Sequence, residues 1–456
     1  MSDQSYETEV LVIGGGNAGC AAALAAARNG VRVLLVERYG FLGGTATAAL
    51  VGPWMTFHAG QERVVGGIAQ EIVERLMALG ASPGHVEDAS SYVPTITPFD
   101  AEYHKALLFE LMTEAGVRLL LHALFLEPLV ETIDGKRVIT GAAFQTVAGR
   151  REVRAARVID ATADAHVAAA AGVPFQMGDE REGLVQPVTM IFRLSHVDLD
   201  ETAAYLREHP DQIRTHLSPE QFTGARLTAV AGFWQEWQQA RASGEVQIQR
   251  EVVSFFATPY PDEVTVNMTR VLRINPLDPD DLTRAEVEAR RQVMELVRFF
   301  KTRIPGFRQA RLAGTATQTG VRESRRIIGE YVLTAEDLLT ARKFPDAIAR
   351  SGYPIDIHNP TGEGTVTKSL PPGETYEIPY RCLVPQEIEN LFVASRAIST
   401  THEALASTRL TPTVMTIGQS AGTAAALSLL DAVPPRRVNV QRLRDRLIEQ
   451  GVNLRQ

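Results

Sequence analysis

At 456 residues the chain is too long for one ordinary hydrophobic core, and we expect two intertwined domains. Its 45% hydrophobic and 22% charged residues are typical of a globular protein, and a formal net charge of −8 disfavours a nucleic-acid partner, whose phosphates call for a basic surface. With only Cys20 and Cys382 and no C-x-x-C motif, we expect neither a disulfide-reductase centre nor a metal site.

Targeting and membrane signals are missing from the sequence. No basic region precedes an apolar leader and a cleavage site near the N-terminus, and no uncharged apolar run reaches the ~18 residues of a membrane helix. We therefore expect a cytoplasmic protein with no signal peptide and no integral membrane segment.

Residues 10–37 predict a dinucleotide-binding unit of strand, glycine turn, helix and strand. Gly14, Gly16 and Gly19 give the spacing G-x-G-x-x-G between a β-branched strand and a helix of small residues. Gly14 permits the turn, Gly16 lets the backbone approach a pyrophosphate, and Gly19 lets helix and strand pack closely. Glu37 ends the second strand, where its carboxylate can accept from the hydroxyls of an adenosine ribose. A merely glycine-rich loop is the alternative.

A second glycine turn, RYGFLGGT at residues 38–45, follows directly. A simple NAD dehydrogenase has no need of it, whereas a longer cofactor could run back over the first turn. Helices are predicted at 65–79 and 99–115, with a surface loop at 82–98 between them. Residues 117–130 predict a strand that feeds a hairpin region with turns at 134–135 and 148–149, and residues 157–164, RVIDATAD, predict a buried strand and turn.

From about residue 187 to residue 380 the pattern predicts a separate inserted domain. Strands are expected at 186–194, 252–257 and 263–271, and a charged amphipathic helix at 282–303. Phe233, Trp234 and Trp237 have helical spacing, which is more typical of a core than of a ligand platform.

The C-terminal part begins with a buried strand and polar turn at 390–399. A helix at 412–430 follows, with Pro412 in its first turn and Gly418, Ala421 and Gly422 along it. These small residues would let this helix lie close to the helix of the first glycine motif. A terminal amphipathic helix is predicted at 438–449.

The two glycine turns and the C-terminal strand and helix resemble the FAD-dependent oxidoreductases of the glutathione reductase superfamily, in the branch related to succinate dehydrogenase and fumarate reductase flavoproteins. The resemblance implies an α/β fold: a Rossmann-like FAD-binding domain (parallel sheet plus β-meander) at 1–186 and 381–456, and an inserted α+β substrate-binding domain at 187–380. In this branch an acid-Arg/Lys pair followed by Gly-Gly-Thr/Ser wraps the diphosphate and ribityl chain.

The sequence departs from the family pattern at three places. Ala163 replaces the glycine of the usual Asp-Ala-Thr-Gly-Asp fingerprint, which questions how tight that turn is, and Ser395 replaces the glycine of Ala-Gly-Arg. In covalent relatives a histidine follows the second glycine turn, but residues 45–49, TATAA, contain none. We therefore expect FAD to be bound non-covalently.

Motif and resemblance together predict the residues that contact FAD. They belong to the glycine turns, a strand near the adenine, the second fingerprint, and the C-terminal segment, where helix amides would face flavin O2. The predicted residues are Gly14, Gly16, Asn17, Ala18, Gly19, Glu37, Arg38, Gly43, Gly44, Thr45, Leu124, Phe125, Ala161, Thr162, Asp164, Arg396, Leu410, Thr411, Thr413 and Gly418.

The leading functional hypothesis is an FAD-dependent oxidoreductase that transfers a hydride between a small organic substrate and flavin N5. An NAD(P)-dependent dehydrogenase is one alternative, and a flavin-binding module without independent redox turnover is another. With no cysteine-rich segment for an iron–sulfur cluster, electrons would leave through a partner, a quinone, nicotinamide or oxygen. The sequence leaves the acceptor, the direction of transfer and homo-oligomer formation open.

Four residues are predicted to be catalytic: His402, Arg322, Arg409 and His358. His402 could carry the proton that accompanies hydride transfer, and Arg322 or Arg409 could hold a substrate carboxylate or polarise a carbonyl. His358 lies in a peptide that looks like a recurrent feature of the resembled subfamily.

A structural alternative accounts for the same residues. Arg322 and Arg409 would then pair with Glu323 and Glu403, while His402 would cap a turn. His358 would be an ordinary hydrogen-bonded histidine.

Overall fold

This computed structural model describes residues 6–454. The N-terminal strand lies within its largest sheet. The strands are β1 (Tyr6–Ile13), β2 (Val33–Val36), β3 (Trp54–Met55), β4 (His58–Ala59), β5 (Glu62–Arg63), β6 (Val86–Glu87), β7 (Thr95–Thr97), β8 (Arg118–Leu120), β9 (Leu124–Ile133), β10 (Lys136–Thr146), β11 (Gly149–Asp160), β12 (Phe175–Met177), β13 (Phe192–Ser195), β14 (Ala229–Gly232), β15 (Val253–Ala257), β16 (Glu263–Val266), β17 (Arg311–Thr315), β18 (Arg325–Ile327), β19 (Ala347–Ser351), β20 (Ile355–His358), β21 (Thr365–Lys368), β22 (Tyr376–Pro379) and β23 (Leu391–Val393).

The described residues also form α-helices. They are α1 (Asn17–Arg28), α2 (Thr45–Ala48), α3 (Gly67–Ala78), α4 (Ala101–Glu114), α5 (His166–Ala170), α6 (Leu199–Glu208), α7 (Trp234–Ala242), α8 (Pro279–Arg303), α9 (Ala335–Leu339), α10 (His402–Thr408), α11 (Thr411–Leu430) and α12 (Val440–Glu449). Short 3₁₀ turns lie at Pro210–Gln212, Pro219–Gln221, Gly224–Arg226, Tyr380–Leu383 and Pro435–Arg437. Within residues 6–454 no helix is both long and apolar enough to cross a bilayer.

The first sheet has the order β8-β2-β1-β11-β10-β9, and β23 also pairs with β11. The pairs β8–β2, β2–β1, β1–β11 and β11–β23 are parallel, while β9, β10 and β11 form an antiparallel meander. All four residues of β2 are buried, as expected for a parallel strand covered on both faces. The predicted α/β fold class, with a Rossmann-like parallel sheet plus a β-meander, is confirmed, and the structure adds further antiparallel sheets.

Close packing of α11 on α1 depends on glycine. A Cβ on Gly418 would lie 2.1 Å from the carbonyl oxygen of Ala18, and a Cβ on Gly422 would lie 2.0 Å from that of Ala22. Any side chain at these positions would push the two helices apart. The small residues therefore fix where α11 begins, next to the first glycine turn.

A five-stranded antiparallel sheet, in the order β14-β15-β16-β13-β17, is built from the predicted insertion. Helix α8 packs on it through residues spaced as on one helix face, including Ala285, Ala289 and Leu296. Phe233 and Trp237 are fully buried in the same core, so the aromatic stripe belongs to the core, as its spacing indicates.

Three predicted strands differ from the structure, and one of them, expected at 263–271, ends at Val266. Residues 117–130 form two strands, β8 and β9, because the chain turns at His122, whose φ is +54°. Residues 186–191 are not part of β13; Val188 and Thr189 make only isolated bridges to other segments.

The predicted domain boundaries stay a prediction. Residues from Leu333 to Ile378 contribute to the same hydrophobic core as α1 and α11, although they precede residue 380.

Candidate functional site

A cleft of about 330 Å³ opens where β1, β2 and β11 end, at the carboxyl edge of the parallel sheet. This edge is where open α/β sheets bind ligands. The predicted cofactor residues that line it are Gly14, Gly16, Asn17, Ala18, Glu37, Arg38, Gly44, Thr45, Leu124, Phe125, Ala161, Thr162, Asp164, Arg396 and Thr411.

Five predicted cofactor residues do not line the cleft: Gly19, Gly43, Leu410, Thr413 and Gly418. Two of them are packing glycines. A Cβ on Gly19 would lie 1.9 Å from the carbonyl oxygen of Gly14, and Gly418 packs on α1 as described above. The Gly43 amide donates to the Gly15 carbonyl over 2.9 Å and so holds the two glycine turns together.

The first glycine turn leaves room for an anion at one position. Gly14 has φ +105°, and a Cβ there would lie 2.5 Å from the Ala161 carbonyl oxygen. Gly16 has an ordinary extended conformation. A Cβ added to it would have the Gly44 Cα, 3.8 Å away, as its nearest heavy atom. The missing side chain of Gly16 thus opens space beside the positive end of α1, which fits the diphosphate of a dinucleotide.

Glu37 lines the cleft and also accepts hydrogen bonds from backbone amides of the glycine turns. Its Oε2 accepts from the Gly15 amide over 2.6 Å, and its Oε1 accepts from the Tyr39 amide over 3.0 Å. Each carboxylate oxygen keeps lone pairs for a further donor. Glu37 therefore joins the two glycine turns and can still accept from a ribose hydroxyl.

The second fingerprint forms a tight turn despite its alanine. Ala163 takes φ +69°, the left-handed region that favours the family's usual glycine. The fully buried Asp160 holds this turn, since its Oδ1 accepts from the amide and hydroxyl of Thr162 and its Oδ2 from the Ala168 amide. Asp164 in the turn pairs with Arg396 over 2.5 Å.

His104 is a site residue that sequence reasoning missed. Its ring is fully buried against Trp54 and Phe99, and its Nε2 lies 2.8 Å from Oδ1 of Asn17, which lines the cleft. Burial lowers the pKa of His104 to about 3, so the ring is neutral and donates from Nε2 if the Asn17 amide nitrogen faces the cleft. Its place in the sequence could have indicated burial, because His104 shares the buried face of α4 with Leu107, Leu108 and Leu111.

Residues of α8 and of the segment after β17 cover one side of the cleft. Tyr39 donates its hydroxyl hydrogen to Gln318, and Arg38 donates to the same side-chain oxygen over 3.0 Å. Beside Gln318, the Thr319 amide donates to Glu286 of α8 over 2.6 Å. These contacts join the second glycine turn to the segment after β17, and that segment to α8.

The start of α11 borders the cleft at Thr411 and Val414. Its N-cap is Leu410, which offers no side-chain acceptor to the first amides of the helix. The positive end of the helix dipole therefore lies at the cleft wall.

Four arginines meet at the junction of the antiparallel sheet and the α10–α11 corner; we call Arg250, Arg270, Arg322 and Arg409 the arginine cluster. Arg250 and Arg270 flank the hairpin of β15 and β16, and Arg409 lines the cleft. Its Nη2 lies 3.7 Å from Oδ2 of Asp356, which is also 3.5 Å from His358 Nε2.

The hydrogen bonds of the arginine cluster go to neutral acceptors. Nη1 of Arg322 donates to the Pro187 carbonyl over 2.7 Å and to the Thr189 hydroxyl over 2.6 Å. Nη2 of Arg250 donates to the Asn267 carbonyl over 2.7 Å, and Nη2 of Arg270 donates to two backbone carbonyls. Such bonds orient the guanidinium groups without neutralising them.

Positive charge accumulates here as a result. Burial, together with the charges of Arg409 and Arg250, lowers the pKa of Arg322 to about 9. Burial and the charge of Arg270 lower the pKa of Arg250 to about 10. Burial and the charge of Arg322 lower the pKa of His358 to about 3, although Asp356 opposes this shift. The ring is therefore neutral at pH 7.

Of the four residues predicted to be catalytic, Arg409 lines the cleft, whereas Arg322, His358 and His402 do not. Nδ1 of His402 lies 2.8 Å from the fully buried carboxylate of Glu323, which also pairs with Arg326. The turn before α10 is capped by the Thr401 hydroxyl, which accepts from the Ala404 amide over 3.3 Å, and not by His402.

The ion pairs considered from sequence are replaced by others. Arg322 does not pair with Glu323, whose partner is Arg326. Arg409 lies by Asp356, and Glu403 pairs with Lys368 over 2.9 Å. The structure thus brings Arg322, Arg409 and His358 together and leaves His402 in a separate cluster.

Several solved structures resemble this fold at low identity. One is a geranylgeranyl bacteriochlorophyll reductase-like protein from Thermoplasma acidophilum, at 13% identity over 98% of this chain and 84% of the other, with a TM-score of 0.48. Another is a flavin-dependent brominase, at 15% identity over 97% and 84%, with a TM-score of 0.47. A third is aklavinone-11 hydroxylase in a ternary complex with FAD and aklavinone, at 14% identity over 94% and 64%, with a TM-score of 0.40.

A sequence model of one family matches nearly the whole chain. It is described as FAD dependent oxidoreductase and matches residues 9–447. The glycine turns and the residues lining the cleft fit the cofactor of that family, which is FAD. The chain belongs to the FAD-dependent oxidoreductase family.

Proposed function

We propose that the protein is an enzyme that transfers a hydride between a small organic substrate and flavin N5 of FAD held in the cleft. One observation carries this proposal: the cleft lined by the glycine turns is also lined by Arg409, which belongs to the arginine cluster. Cofactor and substrate would thereby meet where the two parts of the chain adjoin. A relation to succinate dehydrogenase and fumarate reductase flavoproteins is part of the proposal, supported by the second glycine turn.

Bound FAD supplies the two-electron acceptor or donor that amino-acid side chains lack. The protein contributes binding, orientation and electrostatics. Gly16 gives the diphosphate access to the amides of α1, and Glu37 accepts from the ribose. The first turn of α11 favours negative charge near Thr411 at the other end of the cleft.

Three residues would act on the substrate. Arg322 and Arg409 hold and orient an anionic group, because a guanidinium can donate two parallel hydrogen bonds to it. His358, which burial keeps neutral, presents one N–H donor and one acceptor nitrogen and can orient a hydroxyl or carbonyl. The predicted role of His402 as a proton carrier stays a prediction, since this residue contacts Glu323 and lies apart from the arginine cluster and His358.

Anaerobic titration of the holoenzyme with small organic acids and alcohols tests the proposal. A substrate should bleach the absorption band of the bound flavin. Arg409→Met should keep its flavin but be reduced at least ~10²-fold more slowly, whereas Arg303→Met should react at the parent rate, since Arg303 is a surface residue paired with Glu245. Reduction of Arg409→Met at the parent rate would contradict the assignment.

Two alternatives predict different results in the same experiment. A flavin-binding module would keep its yellow colour with every organic compound. An NAD(P)-dependent dehydrogenase would be purified without bound flavin, which family membership disfavours.

A further inference from the structure

We propose that Gln318 controls how fast FAD enters and leaves the cleft, because its side chain bridges two walls of the cleft. The side-chain oxygen of Gln318 accepts from Arg38 Nη2 over 3.0 Å and from the Tyr39 hydroxyl. We call these two hydrogen bonds the Gln318 bridge. The proposal requires FAD in the cleft, which family membership supports, and it does not depend on hydride transfer.

The three residues of the Gln318 bridge all line the cleft. Arg38 and Tyr39 belong to the second glycine turn, whereas Gln318 belongs to the segment after β17 that covers the cleft with α8. The bond between Arg38 and Gln318 is exposed to solvent, but Asn17 in the first glycine motif is only 5% exposed. The Gln318 bridge therefore lies on the solvent side of the diphosphate site, and a dinucleotide that reaches Gly16 has to pass it.

The segment that carries Gln318 is firmly anchored away from the second glycine turn. The amides of Ala316 and Gly320 donate to carbonyl groups within residues 189–191, over 2.9 and 2.7 Å. The Oε1 atom of Glu286 in α8 accepts from the Thr319 amide over 2.6 Å and from the Thr319 hydroxyl over 3.0 Å. The segment is thereby fixed to the chain before β13 and to α8.

Toward the second glycine turn the same segment is held by one residue. Within residues 6–454, Gln318 makes every hydrogen bond that joins residues 315–321 to residues 38–51. These are the two bonds of the Gln318 bridge and one from the Gln318 amide to the Ala48 carbonyl, over 3.2 Å. Exposed hydrogen bonds open locally more readily than those of a buried core. The two walls should therefore separate at Gln318.

Protein groups alone form the Gln318 bridge, so it can close with or without FAD in the cleft. Burial raises the pKa of Tyr39, which keeps its hydroxyl protonated at pH 7 and able to donate. The bridge uses only Nη2 of Arg38, and the other N–H donors of this guanidinium group stay available to the cofactor. Opening the bridge is therefore a step common to FAD entry and FAD release.

A shared opening step has a specific kinetic consequence. Loosening the Gln318 bridge raises the fraction of open protein, and the rate constants of FAD binding and FAD release then rise by the same factor. The Kd for FAD stays nearly constant. A residue that only contacts bound FAD would instead raise the release rate constant and the Kd when it is removed, and it would leave the binding rate constant unchanged.

Stopped-flow measurements give both rate constants. Quenching of FAD fluorescence on mixing with apo-protein reports binding, and exchange of bound FAD for excess 8-chloro-FAD reports release from the holoenzyme. Gln318→Leu, which has no acceptor, should raise both rate constants at least ~10-fold and change the Kd less than ~3-fold. Tyr39→Phe, which removes one donor from the other wall, should raise both by a smaller factor.

A double variant tests whether the two residues act through one contact. Adding Tyr39→Phe to Gln318→Leu should change neither rate constant further, because the Tyr39 hydroxyl acts through the Gln318 oxygen. Gln441→Leu is the matched control and should keep the parent rates, since its side chain bonds only to Asp445 on the exposed face of α12. Retained FAD stoichiometry shows that each variant is folded.

The results that overturn the proposal are distinct. A faster release with an unchanged binding rate constant in Gln318→Leu would make Gln318 an ordinary contact to FAD. Parent rate constants in Gln318→Leu would show that the Gln318 bridge does not control access. If Gln318→Leu fails to fold, parent rate constants in Tyr39→Phe would overturn the proposal by themselves.

Discussion

Replacing Gly16 by alanine should separate cofactor binding from folding. Gly16 has φ −68° and ψ 175°, which any residue adopts, and an added Cβ would come no closer than 3.8 Å to another heavy atom. Without FAD, the variant should therefore gain ~0.4–1 kcal/mol of stability, because alanine reduces the entropy of the unfolded chain. The same Cβ would stand in the space through which a diphosphate approaches the amides of α1. We expect the Kd for FAD to rise at least ~10²-fold, which corresponds to about 2.7 kcal/mol.

Gly19→Ala is the matched control. A Cβ on Gly19 would lie 1.9 Å from the Gly14 carbonyl oxygen, so this variant should lose ~1–3 kcal/mol or more of folding free energy. Urea unfolding of the apo-proteins measures the first effect, and titration of apo-protein with FAD measures the second. The reasoning is refuted if Gly16→Ala binds FAD like the parent, or if its apo-form is destabilised as much as that of Gly19→Ala.

Three further changes test the cofactor end of the cleft. Ala163→Gly should raise the free energy of unfolding by ~0.5–1 kcal/mol, since glycine relieves the left-handed conformation; a decrease in urea unfolding would contradict this. His104→Phe should weaken FAD binding ~10-fold, whereas His104→Gln, which keeps a donor, should not. In an Asn17→Ala background the effect of His104→Phe on FAD affinity should vanish, and an unchanged effect would show that His104 does not act through Asn17. Glu37→Ala should weaken FAD binding by ~1.5–3 kcal/mol, less than a bulky residue at Gly16; affinity equal to the parent would exclude contact with the ribose.

The cofactor end of the site was predictable because its signals are local in sequence. Gly14, Gly16 and Gly19 define a turn by their spacing, and Glu37 follows at a distance set by one helix and one strand. The same holds for the packing of α11 on α1, since small residues at helical spacing permit close contact. What the motif did not reveal is that Glu37 also bonds the amides of both glycine turns.

The substrate end could be predicted only in part. Arg322, Arg409 and His358 were candidates, but Arg250 and Arg270 were not, because each belongs to a different segment and carries no motif. Antiparallel pairing of β15 with β16 brings these two together. Such pairing depends on the packing of the whole inserted sheet and cannot be inferred from the residues beside each arginine.

Ion pairs were predicted poorly for the same reason. From sequence, neighbouring acids such as Glu323 and Glu403 were natural partners for Arg322 and Arg409. In the structure, a residue's neighbour in sequence points elsewhere, and Glu323 meets Arg326 and His402 instead. The sequence therefore identified several residues of the site, but it did not identify which of them form ion pairs with each other.

An experimental structure of the protein with FAD tests the central claim most directly. The account predicts the diphosphate at Gly16 and the amides of α1, the adenosine ribose at Glu37, and the flavin ring at the Thr411 end of the cleft beside Arg409. A flavin ring at the opposite end, away from the arginine cluster, would contradict the assignment of both the cofactor site and the substrate site.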